Sequence, residues 1–580
     1  MSLWLRTFFR NIPKHIWILM LIVLIGIFFR AYHFHDWLSF KGDGFRDAIM
    51  VSNSYRVGVE SLPLLGPRAA GTMLRLGPVF YYFQYASASI FDSMSAPVLA
   101  YPDLFFSVLA IPLFYFFSRR YFGISWSLAL ATMLAVSFLA IEYGRFAWNP
   151  NSTIFFVLAF SLAFLKIYDA PDDASRKRYL PALLAGVFLG VVTQLHFSSF
   201  LGLPIIIALF LMWRFPDTKK VISLKVVACF LAGLLLLYTP VLMSEYFKSG
   251  ENSKRFISAL SSKPSVHGAT ENVVRVIRVF ANQNIRITLG IVEPGKKMIL
   301  FSAFFLAMGF LANMYLLRGE RNESRRNFLQ WTILTIMVYF TLYIPLAFTV
   351  DRPRFFLPFM MMSYIYCGYI ILALEKRFGG RRSMRVLAIL GVSVVILSNV
   401  YSVSKWFTEL RVSEERTDIT RITGRNIKGS SFWLLWTHFE RSAEMMGRSC
   451  EGNRPIYFLP SKRITEYGHS IEYALLLKNP DRPIILERKY DPVVLDGCYF
   501  YVSLLKDEAI PELISKERMD APINLGGIWV MRFYPAQVVG VYEPDEDDEK
   551  EMFFVPEKRT RNSRVYIGDI INLITDRKSV

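Results

Sequence analysis

Long apolar runs separated by short polar turns dominate the first two-thirds of the chain. A helix needs about 20 apolar residues to cross the hydrocarbon core of a bilayer. Candidate runs fall near 15–33, 102–118, 124–142, 152–168, 180–197, 200–213, 222–243, 297–317, 328–349, 355–374 and 386–404. The pattern predicts an α-helical polytopic membrane protein with about eleven transmembrane helices in a domain covering 1–404. After residue 405 the rhythm changes. Helical patterns near 432–448, in EYGHSIEYALLLK and near 508–516 alternate with the strand-like RPIYFLP, RPIILERKY, CYFYVSLL and GGIWVMRFYP. That alternation predicts a smaller α/β or α+β domain over 405–580. The run EPDEDDEKE at 543–551 reads as a solvated linker.

Lysine and arginine in the short loops set the orientation. Arg6, Arg10 and Lys14 precede the first run, and Arg119 and Arg120 follow the second. Further clusters are Arg176 to Arg178, Arg214 with Lys219 and Lys220, Arg318 to Arg326, and Lys376 to Arg385. With eleven spans all of them fall on one side, which places the N-terminus in the cytoplasm and the C-terminal domain outside. Counting the aromatic stretch 78–92 as a further span would scatter them, and the stretch is too short to cross. It reads as an interfacial helix within a long external loop, 34–101. A second external loop covers 244–296. The first run has spanning length with no small-residue cleavage site after it, so it reads as an anchor rather than a cleaved signal.

Composition agrees with a membrane protein. Hydrophobic residues make up 53% of the 580 and charged residues 19%, too few charges to cover a soluble surface. The net charge of +19 sits mostly in clusters between apolar runs, a membrane pattern that argues against a nucleic-acid partner. Cys229 and Cys367 fall within apolar runs and read as packing residues. Cys450 and Cys498 both lie in the exported domain, where a bridge is allowed and left open by spacing alone. There is no CxxC, HExxH or paired Cys/His spacing, so no metal site and no firm cofactor is implied, and a divalent metal has no support.

The chemistry is expected in external loops. Lys41-Gly42-Asp43-Gly44-Phe45-Arg46-Asp47 puts two carboxylates around an arginine, four residues apart and on one face of any helix begun there. A glycine turn leading into an acidic helix cap explains the same letters. Arg68, Arg75 and Tyr82 follow in the same loop. Arg145 and Asn149 lie in the next, and Val350-Asp351-Arg352-Pro353-Arg354 caps the ninth run. His196, in QLHFS, reads more readily as a helix–helix hydrogen-bonding group than as a substrate contact.

Three of these stretches in order carry a family resemblance. Asp43 just after the first span, Gly77-Pro78-Val79-Phe80-Tyr81-Tyr82 along the membrane surface, and Arg119-Arg120-Tyr121-Phe122-Gly123 closing a span resemble the GT-C membrane glycosyltransferases. The group is that of the protein O-mannosyltransferases and aminoarabinose transferases, and the likeness covers roughly 15–375. It departs from the mannosyltransferases where their Asp-Glu pair reads Asp43-Gly44, and where the second external loop offers Asn149 rather than an acid.

The resemblance implies an inverting enzyme at the outer membrane face, moving a sugar from a polyprenyl-phosphate donor to a hydroxyl on a lipid, protein or glycan acceptor. Asp43 or Asp47 would be the catalytic base. Arg46, Arg68, Arg75, Tyr82, Arg145, Asn149, His196, Arg352 and Arg354 would bind donor phosphate or substrate. A glycan polymerase or oligosaccharide transferase is the alternative. A lipid-carrier flippase fits less well, because the centres of the apolar runs are nearly free of charge.

Overall fold

In the computed structural model the described residues are 13–40, 42–69, 73–170, 175–261, 268–378, 382–415, 434–480, 482–487, 493–504, 510–515, 517–541, 565–569 and 571. Arg6, Arg10, Lys41, Arg381 and the acidic run 543–551 lie outside them.

Each of the eleven apolar runs is helical. The helices are Lys14–Ala31, Ala96–Ser118, Ile124–Val136, Thr153–Asp169, Tyr179–Leu195, Phe197–Trp213, Leu224–Phe247, Lys296–Arg318, Glu323–Tyr343, Met361–Arg377 and Arg382–Glu415. Among the described residues, six helices are long and apolar enough to cross a membrane alone, and eight if each of two bent pairs is one span. The expected boundaries shift in several places, most clearly in four, besides the earlier starts at Ala96 and Glu323 and the earlier end at Tyr343. The 124–142 run breaks at Ser137, whose hydroxyl accepts from the Ala140 N–H at 3.3 Å and starts a second short helix, Phe138–Tyr143. The fifth and sixth runs are separated by a single extended residue, His196. The tenth begins as a 3₁₀ turn, Pro353–Phe359, bent by 54° from the helix that follows. The last helix continues past 404 to Glu415.

Contacts between loops sort the two ends of the bundle. At one end Arg120 pairs with Asp169 at 2.5 Å and reaches Ser324, Arg214 pairs with Glu323, and Lys376 lies over the Tyr315 ring. These are the basic turns of the sequence, gathered together. The opposite end carries the long loops. The first contains the helix Asp43–Val57, a bridge between Arg68 and Arg75, and the helix Val79–Phe91. The second is itself helical, over Glu251–Ser261 and Ala269–Leu289.

Small residues let two helices meet backbone to backbone. A Cβ at Gly186 would lie 2.0 Å from the Phe230 carbonyl oxygen, and one at Gly233 would lie 2.3 Å from that of Leu183. These contacts lock Leu224–Phe247 onto Tyr179–Leu195.

The C-terminal strands are β1 (Ile456–Pro460), β2 (Ile484–Leu486), β3 (Val493–Asp496), β4 (Cys498–Ser503), β5 (Arg518–Met519), β6 (Ile523–Asn524), β7 (Trp529–Tyr534) and β8 (Gln537–Val541). One sheet runs β2-β1-β4-β7-β5, with β6 also on β7, and β3 pairs with β8 separately. The β1 strand is parallel to β2 and β4, and β7 is antiparallel to β4. Alternation decides the faces. Ile456, Phe458 and Phe500 join the large core that also holds Phe439 and Ile471, whereas Tyr457, Tyr499 and Tyr501 face Ile514 in a separate cluster. Cys450, just after the helix Trp436–Arg448, is disulfide-bonded to Cys498 at the start of β4.

This region sits on the first long loop. The Trp436 N–H donates to the Leu38 carbonyl at 2.9 Å, Ser470 to that of Phe40 and Tyr473 to that of Met94.

Candidate functional site

Gly42 precedes the helix Asp43–Val57 at φ 49°, a left-handed conformation that favours glycine, and so turns the chain into the helix. Asp43 then occupies the first turn, where a carboxylate meets the positive end of the helix dipole. Its side chain is half exposed. Arg46 Nη1 donates to Asp43 Oδ1 at 2.7 Å, and the Trp148 indole N–H donates to Oδ2 at 3.0 Å.

Asp43 opens onto a cavity of about 570 Å³. Arg145, Arg352 and Arg354 line it with Glu142 and Glu466, and Trp37, Trp148, Trp406, Leu410 and Leu435 supply apolar wall. The Arg354 guanidinium lies over the Trp148 ring, 5.2 Å from its centroid. Glu142 pairs with Arg286 at 3.2 Å. Leu435 and Glu466 come from beyond the last bundle helix, so the C-terminal region forms part of the wall. Among the described residues no three His, Cys, Asp or Glu side chains gather to hold a metal ion.

Asp47 is placed differently. It is wholly buried and outside the cavity lining. Oδ1 accepts from Arg46 and from the Tyr81 hydroxyl, while Oδ2 finds no hydrogen-bond partner among the described residues. Burial pushes this carboxyl up to about 6, against the opposing pull of Arg46.

Of the other expected residues, Arg46 touches the site only through its bonds to the two aspartates. Arg145 is buried and donates to the carbonyls of Phe29, Arg30 and His33, which close the first helix. Arg68, Arg75, Tyr82, Asn149 and His196 are not among the lining residues. The Arg75 backbone is clamped by Asn252, Tyr82 bonds the Pro63 carbonyl, and Asn149 bonds that of Leu195. His196 bonds Ser198 at 2.6 Å and packs edge-on against Phe355.

Sequence reasoning missed Trp37, Trp148, Trp406 and Glu466, and it passed over Glu142. It also missed two buried charges in the bundle. Arg30 bonds Ser107 and the Ala135 carbonyl, and Asp103 bonds Ser152 and the Trp148 N–H. Single charges in apolar runs were the available signal.

Residues 75–243 match the model of the dolichyl-phosphate-mannose-protein mannosyltransferase family. No curated protein matches the chain. Among solved structures, ArnT from Cupriavidus metallidurans in the apo state superposes with a TM-score of 0.53 at 11% identity, covering 90% of this chain and 98% of that one. The same protein bound to undecaprenyl phosphate gives 0.51 at 11% identity, with the same coverage. The Archaeoglobus fulgidus oligosaccharyltransferase in the apo form gives 0.48 at 14% identity, over 82% of this chain and 65% of that one. The chain thus spans just under two-thirds of that archaeal protein. Residues 75–243 carry the likeness to the mannosyltransferase family, and the chain as a whole shares its fold with ArnT.

Proposed function

We propose that the chain transfers a sugar from a polyprenyl-phosphate donor to an acceptor hydroxyl at the extracytoplasmic membrane face, with inversion at the anomeric carbon. The observation that carries this reading is the cavity that joins Asp43 to Arg352 and Arg354. A similar fold solved with undecaprenyl phosphate bound supports the donor class. The gathered basic turns at the far end of the bundle support a cytoplasmic location for that end. The Cys450–Cys498 bridge supports an oxidising compartment for this one. In this reading the catalytic membrane domain covers 1–404 and the exported domain 405–580.

Asp43 takes the proton of the acceptor hydroxyl as its oxygen attacks the anomeric carbon. The bond from that carbon to the phosphate oxygen breaks, and the phosphate leaves with the electron pair. Arg352 and Arg354 stabilise the charge that develops there, with guanidinium forks that match phosphate oxygens. Attack opposite the leaving group inverts the centre, so one base suffices. Asp43 keeps lone pairs for the acceptor after bonding Arg46 and Trp148, because a carboxylate offers about four acceptor sites. Asp47 supports the base indirectly, by holding Arg46.

The test is reconstitution with a panel of polyprenyl-phosphate sugars. Asp43→Asn is expected to lower kcat by about 10²–10⁴-fold, the usual contribution of a positioned base. Arg354→Gln is expected to raise the donor KM. Full turnover by Asp43→Asn would remove the proposed base, and loss of turnover with Asp47→Asn alone would move that role four residues along.

A further inference from the structure

We infer that Trp148 is a positioning residue for this transfer, and that the buried Asp103 behind it sets where Trp148 stands. The inference rests on the reading of Asp43 as base and Arg354 as phosphate ligand. Trp148 touches both. Its indole N–H, which can only donate, binds Asp43 Oδ2 at 3.0 Å. Its ring carries the Arg354 guanidinium at 5.2 Å. One side chain therefore fixes the spacing between the group that takes the proton and the group that receives the leaving phosphate.

The loop bearing Trp148 is held from behind by a charge that its surroundings do not favour. Asp103 lies within the apolar helix Ala96–Ser118 and is 1% exposed. Its Oδ2 accepts from the Trp148 backbone N–H at 3.0 Å, and its Oδ1 accepts from the Ser152 hydroxyl at 2.5 Å. Both ends of the 148–152 turn thus end on one carboxylate. Asn151 Nδ2 closes the turn on the Phe146 carbonyl at 2.6 Å, and Asn149 ties it to Leu195. Burying a carboxylate is unfavourable unless its oxygens are satisfied, and here both bonds go to the loop that presents Trp148. A neutral residue would fill the space. The carboxylate adds a fixed position for the backbone of residue 148.

The experiment uses the full chain in lipid nanodiscs, with whichever polyprenyl-phosphate sugar the native protein turns over. Trp148→Phe keeps an aromatic ring under Arg354 and removes the donor to Asp43. The expectation is a kcat about tenfold lower with the donor KM within about twofold of native. Trp148→Ala removes both contacts, and is expected to lower kcat and also raise the donor KM several-fold. Asp103→Asn keeps an acceptor for the Trp148 N–H and a partner for Ser152, so most of the rate is expected to survive. Asp103→Ala is expected to repeat the loss in kcat.

A purely structural role would lower yield and thermal midpoint in all four variants without separating kcat from KM. Native kcat in Trp148→Phe, beside an inactive Asp43→Asn, would overturn the positioning role and leave the base in place. An identical donor KM in Trp148→Phe and Trp148→Ala would overturn the link to Arg354. A fully active Asp43→Asn would instead sink the functional reading on which the inference stands. If Asp103→Ala does not fold, Asp103→Asn and the two Trp148 variants still decide.

Discussion

Replacing Asp47 by asparagine tests how the helix below the cavity is balanced. The native carboxyl is wholly buried, with one oxygen shared by Arg46 and Tyr81 and the other without a hydrogen-bond partner among the described residues. Burial outweighs the arginine and raises the group from the ordinary 3.8 to about 6. A carboxyl raised in the fold prefers to be protonated there. Its contribution to stability is therefore fully present below about pH 4 and lost as the pH climbs through 6. At about 1.4 kcal/mol per pH unit, ionising Asp47 in the folded protein costs about 3 kcal/mol by pH 7. The substituted amide does not titrate, while other groups titrate in both proteins and cancel in the comparison. The stability of the native protein minus that of Asp47→Asn should fall by about 3 kcal/mol between pH 4 and pH 7. Denaturant unfolding of both proteins in detergent at four pH values, followed by tryptophan fluorescence, measures that difference. A difference that is flat with pH would refute the argument. One that grows with pH would show that Arg46 outweighs desolvation.

Two further outcomes concern the scaffold. Removing the Cys450–Cys498 bridge frees a loop of 48 residues, and Cys450→Ser with Cys498→Ser should cost the strand-bearing region about 4 kcal/mol by the chain-entropy relation. Limited proteolysis with and without reductant would show it, and equal protease resistance would argue that the bridge adds no constraint. Gly186→Leu must push Leu224–Phe247, which carries the Phe230 carbonyl, away from Tyr179–Leu195, at a cost of about 1–3 kcal/mol. A lowered thermal midpoint in detergent is the readout, and an unchanged one would count against the tight helix crossing.

How far the sequence revealed this structure varies with the kind of signal. The apolar runs were legible because lipid-facing helices must be apolar over their whole length, and all eleven runs are helical. Four of the C-terminal strands, β1, β2, β4 and β7, were legible too, since segments such as RPIYFLP and CYFYVSLL carry the β-branched and aromatic residues that suit a pleated sheet. The β3, β5, β6 and β8 strands were not expected. Breaks were harder to see. Nothing in the letters around Ser137 distinguishes a capping serine from a serine inside a helix, because the difference lies in the backbone. Asp43, Arg352 and Arg354 could be picked out as charges near span ends, and the structure brings them to one cavity. Trp148 and Glu466 could not, since what distinguishes them is which distant segment they meet. Arg145 shows the converse. It is a conspicuous charge in a loop between apolar runs whose donors go to the carbonyls ending the first helix.

The pairing of residues 62–64 with 565–567 has a consequence for biogenesis. The Leu64 N–H donates to the Val565 carbonyl at 2.8 Å, and the Ile567 N–H to that of Leu62 at 3.0 Å. Ribosomes deliver these partners far apart in time, and between them every bundle helix from Ala96 onward must be threaded into the bilayer. The early loop therefore spends most of synthesis with that edge open, and bringing such distant segments together is entropically slow. Insertion chaperones or lipid headgroups have that interval in which to occupy the edge, and a stalled ribosome would leave behind a bundle whose first long loop is still unlatched.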